Sequence, residues 1–139
     1  MSTPRSVGPI RLLLVEDHSM VAMALDSAFA SVEDIELIGQ ATSIRQAVDD
    51  VGTHRPDVVL LDRRLPDGDG IAAISRLRDQ APGTRVLVFT GAADRDLSRR
   101  VADAGGAGVL LKAGLLTDLL DTIRRVAAGQ TVFDIDSPG

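Results

Sequence analysis

Short aliphatic segments alternate along this chain with longer segments in which apolar residues recur every three or four positions. The short segments are rich in Val, Leu and Ile and are bounded by polar residues, Gly or Pro, a pattern that predicts β-strands. Strands are predicted at residues 10–15, 35–41, 57–61, 85–90 and 108–112. The longer segments have the spacing of amphipathic helices. Helices are predicted at residues 19–31, 43–54, 69–80, 93–105 and 115–129.

Residues at the boundaries of the predicted helices support these assignments. Ser43 followed by Gln46 has the spacing of a capping box, and Asp69 suits the N-cap of the following helix. Gly105 and Gly129 each follow a segment of helical periodicity and indicate helix C-termini.

Strand–helix units in unbroken succession predict an α/β fold of the (βα)5 type. Because the strands are aliphatic at nearly every position, we expect a doubly wound parallel five-stranded sheet covered by helices on both faces. Right-handed crossovers and the flavodoxin-like strand order 2-1-3-4-5 complete the expected topology. Residues 1–9 are predicted to be an N-terminal tail, residues 10–128 the folded domain, and residues 129–139 a C-terminal linker.

Composition narrows the possible functions. The chain has 139 residues, enough for one domain with a substantial core, and it contains no Cys, which excludes disulfides and thiolate metal sites. The sequence shows neither a signal peptide nor an apolar run of membrane-spanning length, so a cytoplasmic location without membrane contact is expected. A net charge of −5 argues against direct binding of the chain to nucleic acid. Lys112 is the single lysine in the sequence.

Polar residues follow the predicted strands at their carboxyl ends, where open α/β sheets bind ligands. Glu16 and Asp17 follow the first strand, Asp62 the third, and Thr90 and Lys112 end the fourth and fifth. Neighbouring first and third strands would bring the three carboxylates together. Each like-charged pair at about 4 Å and an effective dielectric of about 20 would cost on the order of 4 kcal/mol. A hard divalent cation relieves that repulsion, so the sequence predicts a Mg²⁺ site.

Four motifs lie at these strand ends: VEDH at 15–18, LLDRRLPDGDG at 60–70, FTG at 89–91 and LLKAG at 110–114. Their sequences, order and spacing over residues 10–128 resemble the receiver domain of two-component response regulators. The LPDGDGI segment and the ending TIRRVAAGQTVF are similar to the NarL/LuxR-type subfamily. Members of that subfamily usually carry a helix-turn-helix DNA-binding domain after the receiver, so residues 129–139 are expected either to lead to such a domain or to end a stand-alone receiver.

The resemblance implies a role for each site residue. Asp62 would be the phosphoacceptor and would take a phosphoryl group from a phosphohistidine of a sensor histidine kinase. Glu16, Asp17, Asp62 and the main-chain carbonyl of Arg64 would hold Mg²⁺. Thr90 and Lys112 would bind phosphoryl oxygens after transfer. Such a domain is not an enzyme acting on other molecules, because it catalyses only its own phosphorylation and dephosphorylation.

The resemblance also implies that phosphorylation changes the conformation of the domain. Three positions of this sequence depart from the family pattern. Arg63 replaces an aliphatic residue, Gly91 a common Ala, and Val109 the usual aromatic switch residue. Valine cannot swing as a ring does, so the loop from Thr90 to Asp94 is expected to carry the change instead. Phosphorylation would control homodimerisation through the last two helices, or a DNA-binding domain outside this chain. Charges of both signs on that surface come from Arg95, Arg99, Arg100, Asp103, Asp118 and Asp121, among others.

Two other classes of function stay open. A Mg²⁺-dependent aspartyl phosphatase would need a second Asp two residues after its nucleophile, where this chain has Arg64. A non-phosphorylated interaction module with the same fold would be expected to lack a site residue, yet all are present. His18 and His54 are interpreted as solvent-facing. Asp67 and Asp69 are interpreted as turn and helix-cap residues rather than calcium ligands.

Overall fold

The computed structural model of the chain describes residues 8–133. In chain order, the elements are β1 Ile10–Val15, α1 Ser19–Ala30, β2 Ile35–Ala41, α2 Ile44–His54, β3 Val58–Asp62, β4 Arg64–Leu65, β5 Gly68–Asp69, α3 Gly70–Gln80, β6 Arg85–Thr90, α4 Arg95–Asp103, β7 Gly108–Leu111 and α5 Leu116–Ala127. Five strands form one parallel sheet in the order β2-β1-β3-β6-β7. The predicted fold class and strand order are confirmed.

The central strand β3 is buried on both faces of the sheet because its apolar side chains alternate between two cores. Leu60 faces a core formed with α1 and α5, and Leu61 faces a second core formed with α2, α3 and α4. All five residues of β3 are buried, including Asp62 at its end. The strand therefore places the Asp62 carboxylate, itself buried, at the carboxyl edge of the sheet.

The predicted helix boundaries are confirmed at the residues that carry the cap chemistry. Ser43 accepts a hydrogen bond from the main-chain N–H of Gln46, and Asp69 accepts one from Ile71. Gly105 and Gly129 adopt positive φ angles of 95° and 99° after the ends of α4 and α5. The prediction started α4 too early, because Asp94 caps it by accepting from the N–H of Leu97 at 2.9 Å.

The loop after Asp62 contains a two-stranded hairpin, β4 with β5, that the sequence pattern did not predict. At its turn, Asp67 accepts hydrogen bonds from the main-chain N–H groups of Ile44 and Arg45, at 2.8 and 3.0 Å. Asp67 is therefore a helix cap, but it caps α2 rather than the helix that follows it. This contact ties the loop beside Asp62 to a neighbouring helix.

Replacing Asp67 with Ala is expected to lower the melting temperature, because the N-terminus of α2 loses its acceptor. The two N–H groups hold the pKa of Asp67 below its ordinary value. A lowered pKa means that the stabilisation is present above the unfolded-state pKa and is lost as pH falls through the folded-state pKa. Thermal unfolding of both proteins from about pH 7 to about pH 2 tests this. The two melting temperatures should converge in acid, and a constant difference across the range would contradict the cap.

None of the helices within residues 8–133 has the length and apolar composition that crossing a membrane requires.

Candidate functional site

A crevice opens at the carboxyl ends of the central strands, where the sequence predicted the site. Its volume is about 370 Å³, and its lining residues are His18, Asp62, Arg63, Arg64, Thr90, Gly91, Ala92 and Lys112. Strand β1 contributes Glu16 and Asp17 just beyond its end, next to Asp62 on the adjacent β3. The main-chain N–H of Lys112 donates to the carbonyl of Thr90 at 2.7 Å, which holds these two residues side by side.

Lys112 forms ion pairs with two buried carboxylates. Its Nζ lies 3.0 Å from Oε1 of Glu16 and 3.2 Å from Oδ1 of Asp62. Glu16 is 2% exposed and Asp62 is 5% exposed, so both acids lie almost entirely out of water. The Lys112 ammonium also lies 5.7 Å from the centre of the Phe89 ring, within the range of a cation–π contact. The only lysine of the chain thus sits where two negative charges need a compact cation.

The two buried acids differ in how easily they carry charge. The pKa of Asp62 is raised, because burial disfavours its charged form and the Glu16 carboxylate lies beside it. Burial also acts to raise the pKa of Glu16, but hydrogen bonds from His18 and Lys112 outweigh it and leave that pKa lowered. Burial acts to lower the pKa of Lys112, yet the pKa is raised because Glu16 and Asp62 favour its charged form. Charge is therefore well compensated on Glu16 and poorly compensated on Asp62.

The acidic cluster has the chemistry of a site for a hard divalent cation. One ligand atom each from Glu16, Asp17, His18 and Asp62 can be chosen so that all lie within 4.8 Å of one another. Oδ2 of Asp62 is buried and accepts no hydrogen bond from any residue that the structure describes. A buried carboxylate oxygen without a donor is costly unless a cation approaches it. The three carboxylates suit Mg²⁺, which prefers oxygen ligands; a contribution from the Arg64 carbonyl stays a prediction.

His18 contacts the acidic cluster, which the sequence interpretation missed. Its side chain is 65% exposed, as expected, but Nδ1 lies 2.9 Å from Oε2 of Glu16. The main-chain N–H of His18 donates to the same oxygen at 3.2 Å. The hydrogen bond with Glu16 raises the pKa of His18. The adjacency of His18 to two acids at a strand end was the available signal, whereas His54 is exposed at the end of α2.

Thr90 is buried at the crevice, and its hydroxyl bonds within its own loop. Oγ1 donates to the carbonyl of Ala92 at 3.1 Å. The preceding Phe89 belongs to the core beneath α1 and α5, on the opposite face of the sheet, as its alternation with Thr90 predicts. A Cβ placed on Gly91 would have no neighbour within 4 Å. The Thr90 hydroxyl is therefore positioned at the start of a loop with space around it.

Gly70 supports the backbone of the loop that follows Asp62 and was not singled out by sequence reasoning. Its N–H donates to the carbonyl of Arg63 at 2.6 Å. A Cβ on Gly70 would lie 2.4 Å from the main-chain oxygen of Asp62 and 3.3 Å from that of Arg63. The first turn of α3 thus packs directly on the peptide units around Asp62, and only glycine permits this approach.

Comparison with known proteins identifies the class of protein that this fold and site define. Residues 12–124 match the response regulator receiver domain family. The chain belongs to that family. The response regulator protein VraR of Staphylococcus aureus is 30% identical over 125 residues, which are 90% of this chain and 60% of VraR. The chain thus spans 60% of the length of that relative.

Solved structures of response regulators have the same fold. The signal receiver domain of NarL from Mycobacterium tuberculosis is 26% identical, with a TM-score of 0.83 over 88% of this chain and 99% of that one. A LuxR-family response regulator from Aurantimonas sp. SI85-9A1 gives a TM-score of 0.87 at 24% identity, over 93% of this chain and 92% of that one, and supports the fold alone.

Proposed function

We propose that this receiver domain takes a phosphoryl group from a phosphohistidine of a sensor histidine kinase onto Asp62, with Mg²⁺, and thereby switches an output. The observation that carries the proposal is the state of the Asp62 carboxylate. It is buried beside Glu16, one oxygen pairs with Lys112 at 3.2 Å, and the other accepts no hydrogen bond within residues 8–133. A buried carboxylate at the base of an open crevice, with one oxygen beside Lys112 and the other left for a cation, is suited to act as a nucleophile toward phosphorus.

Transfer would proceed by in-line displacement at phosphorus. An Asp62 oxygen forms the new P–O bond while the P–N bond to the donor histidine breaks, and the histidine nitrogen leaves with the bonding electron pair. Lys112 already lies beside Asp62 and would pair with a phosphoryl oxygen. The Thr90 hydroxyl would turn from the Ala92 carbonyl to donate to another. Bound Mg²⁺, held by Glu16, Asp17 and Asp62, would neutralise charge on the transferring group.

Acetyl phosphate tests this function without a kinase. With Mg²⁺, the chain is expected to gain the mass of a single phosphoryl group, and chelation of the metal should remove most of the gain, by about a hundred-fold in rate. Intact-mass spectrometry against time gives the measurement. Rapid release of inorganic phosphate with little accumulated adduct would favour an aspartyl phosphatase. Absence of both adduct and release would favour a non-phosphorylated interaction module.

The structure offers specific observations against both alternatives. Arg64, two residues after Asp62, stands where the phosphatase would need a carboxylic acid. An interaction module would have no use for a buried carboxylate pair, because burying like charges costs stability. Glu16, Asp62 and Lys112 are nonetheless all retained and in contact.

An apolar surface beside the crevice suits the kinase partner. Within the described residues, the exposed large apolar side chains are Met20, Met23, Leu115 and Leu116, at 82%, 70%, 69% and 45% exposure. Helix α1 carries a single charged residue, Asp26, among its 12 residues, so its solvent side is unusually apolar. A groove between α1 and the start of α5 includes Lys112, which also lines the crevice. A kinase helix that presents a phosphohistidine to Asp62 would therefore cover this surface.

The double substitution of Met20 and Met23 by Glu is expected to slow phosphotransfer from a phosphorylated sensor kinase by about tenfold or more, because charge would replace apolar contact area. A screen of phosphorylated kinases against the wild-type chain would first supply the donor. Phosphorylation by acetyl phosphate should be unchanged, and Ala72→Glu on the exposed face of α3 serves as a control. Equal kinase rates for the double variant and the control would contradict the docking surface.

Two further partners are part of the proposal. Phosphorylation-dependent self-association would use the mixed charges of α4 and α5, where Arg100 already lies 3.7 Å from Asp69 of the same chain. Contact with DNA would be made through a separate output domain rather than through the receiver domain itself. Because VraR is longer than the region matched here, such an output domain is consistent with the 60% coverage of VraR.

A further inference from the structure

Position 109 holds Val, where the resemblance to receiver domains implies an aromatic side chain. Val109 is fully buried there, and the sequence contains neither Tyr nor Trp. Of its three Phe residues, Phe29 and Phe89 belong to the core beneath α1 and α5. Phe133 instead packs against the core beneath α2, α3 and α4, which contains Val109.

A structured turn after α5 brings Phe133 to this position. Gly129 has a φ of 99°, which reverses the direction of the chain. The main-chain N–H of Gln130 donates to the carbonyl of Arg125 at 3.0 Å, and the Arg125 Nε donates to the Gln130 side-chain oxygen at 3.1 Å. The residues that follow are therefore directed back along the sheet. We call residues 130–133 the edge segment.

The edge segment pairs with the outer edge of β7. The N–H of Val132 donates to the carbonyl of Ala107 at 2.9 Å, and the Val132 carbonyl accepts from the N–H of Val109 at 3.1 Å. Val132 is 5% exposed and forms a parallel bridge with Gly108. A Cβ on Gly108 would lie 2.5 Å from the Val132 oxygen. The glycine at the start of β7 thus permits the close approach of the segment.

The register of the pairing places Phe133 beside Val109. Because Val132 lies opposite Gly108 in a parallel pair, the next residues, Phe133 and Val109, are side by side on the same face. On the inner side of β7, Val109 pairs with Val88, and Leu111 pairs with Thr90. A single strand therefore separates the edge segment from Thr90, and the same strand leads into Lys112.

We propose that the edge segment reports the state of Asp62, with Phe133 supplying the aromatic contact that position 109 lacks, and that occupancy of Asp62 releases the segment from β7. The inference rests on the proposed phosphorylation of Asp62. The output of the domain would then begin at the segment that leads out of it, through β7, as well as through the loop after Thr90.

The direction of the change follows from the contacts at the two ends of β7. Lys112 now pairs with Glu16 and Asp62, and the Thr90 hydroxyl bonds to Ala92. A phosphoryl group on Asp62 would draw both side chains toward itself, and both are attached to the carboxyl end of the β6–β7 pair. Val132 is held to the chain around β7 by the two main-chain bonds described above, whereas the inner edge of β7 is paired along its length with β6. The outer pairing is the weaker of the two and would yield first.

Amide hydrogen exchange measured by NMR on the 139-residue chain tests the proposal, with beryllofluoride and Mg²⁺ as the phosphoryl stand-in. Exchange of the Val109 and Val132 amides is expected to become about tenfold faster on binding, as for a tenfold shift in the population of the open state. Amides of β2, at the opposite edge of the sheet, should keep their rates. Phe133→Ala should give fast exchange at Val132 before any addition, and Phe133→Leu should restore part of the protection.

Fluorine NMR of bound beryllofluoride separates the inference from the function on which it rests. If the signal of bound beryllofluoride is observed while exchange at Val109 and Val132 is unchanged or slower, the edge-segment proposal is wrong and the phosphoacceptor proposal stands. If no bound fluoride is seen and acetyl phosphate adds no phosphoryl group, the phosphoacceptor proposal is wrong. If Phe133→Ala has the same basal exchange rates as wild type and the same change on beryllofluoride binding, Phe133 does not contribute to holding or releasing the edge segment.

Discussion

Replacing Asp62 with Asn is expected to abolish phosphorylation by acetyl phosphate and to remove beryllofluoride binding, a loss of at least about a hundred-fold in rate. An amide is a poor nucleophile, and it withdraws one of the three carboxylates that we propose hold Mg²⁺. The variant should stay folded, because Asn fills the same volume and its neutral side chain avoids both the burial of a charge and the repulsion by Glu16, which together raise the pKa of Asp62. Intact-mass spectrometry and thermal unfolding of the same sample measure both effects.

Asp67→Asn is the matched control for this experiment. It makes the same chemical change five residues later, in the hairpin loop, at an exposed carboxylate whose bonds go to the N-terminus of α2. Its phosphorylation rate should stay within about threefold of wild type, as expected for a side chain outside the crevice. Stoichiometric phosphate on Asp62→Asn would identify a different acceptor, and equal loss in both variants would mean that the loop, and not the nucleophile, had been disturbed.

Sequence periodicity predicted the five parallel strands and the helices because each buried strand is aliphatic on both faces and each helix has a buried stripe. Caps at Ser43 and Asp69 fixed two boundaries locally, since the partner N–H groups lie within three residues. The positions of Glu16, Asp62, Thr90 and Lys112 could be inferred as well, because parallel strands end at a common edge. Features that depend on residues close in sequence were thus readable from the chain.

Features that depend on distant residues were not readable. Asp67 caps a helix that begins 23 residues earlier, and nothing in the turn sequence shows which N–H groups it will meet. Val132 was assigned to a linker by composition, whereas its burial depends on the exposed edge of β7 and on Gly108. His18 is an exception, because its partner Glu16 lies only two residues away: its exposure was correctly expected, but the contact was missed because it depends on the direction in which the chain leaves β1. In each case tertiary geometry decides between two plausible local interpretations.

The buried acids distinguish the site from the rest of the core, which is largely aliphatic. Elsewhere β3 buries aliphatic side chains, but at its end Asp62 is buried beside Glu16, and Lys112 compensates only part of the charge. Such a cluster is a poor source of stability, because desolvation offsets the attraction. We propose that a bound cation accounts for its presence at the sheet edge, because the positive charge of the cation would balance the carboxylates that Lys112 leaves uncompensated.

Gly70→Ala is expected to destabilise the protein by about 1–3 kcal/mol, as overpacking against an unyielding neighbour does. The added methyl would lie 2.4 Å from the main-chain oxygen of Asp62 and 3.2 Å from Cγ of Leu61, and a backbone oxygen cannot rotate away as a side chain can. Relief requires α3 to move off β3 or the peptide after Asp62 to turn. Either movement displaces the carboxylate from Lys112, so phosphorylation by acetyl phosphate should slow by about tenfold or more. Urea unfolding and the rate of phosphoryl incorporation measure the two effects.

Gly91→Ala provides the control, since a methyl at that position has no neighbour within 4 Å and Gly91 is not among the glycines with positive φ. Its unfolding free energy should change by less than about 0.5 kcal/mol, as for other substitutions at unconstrained surface positions. The contrast isolates the backbone approach at Gly70 from the general effect of adding a methyl to a loop beside the crevice. If Gly70→Ala proved as stable and as reactive as Gly91→Ala, the contact between the first turn of α3 and the Asp62 peptide could not be what holds the Asp62 carboxylate in place.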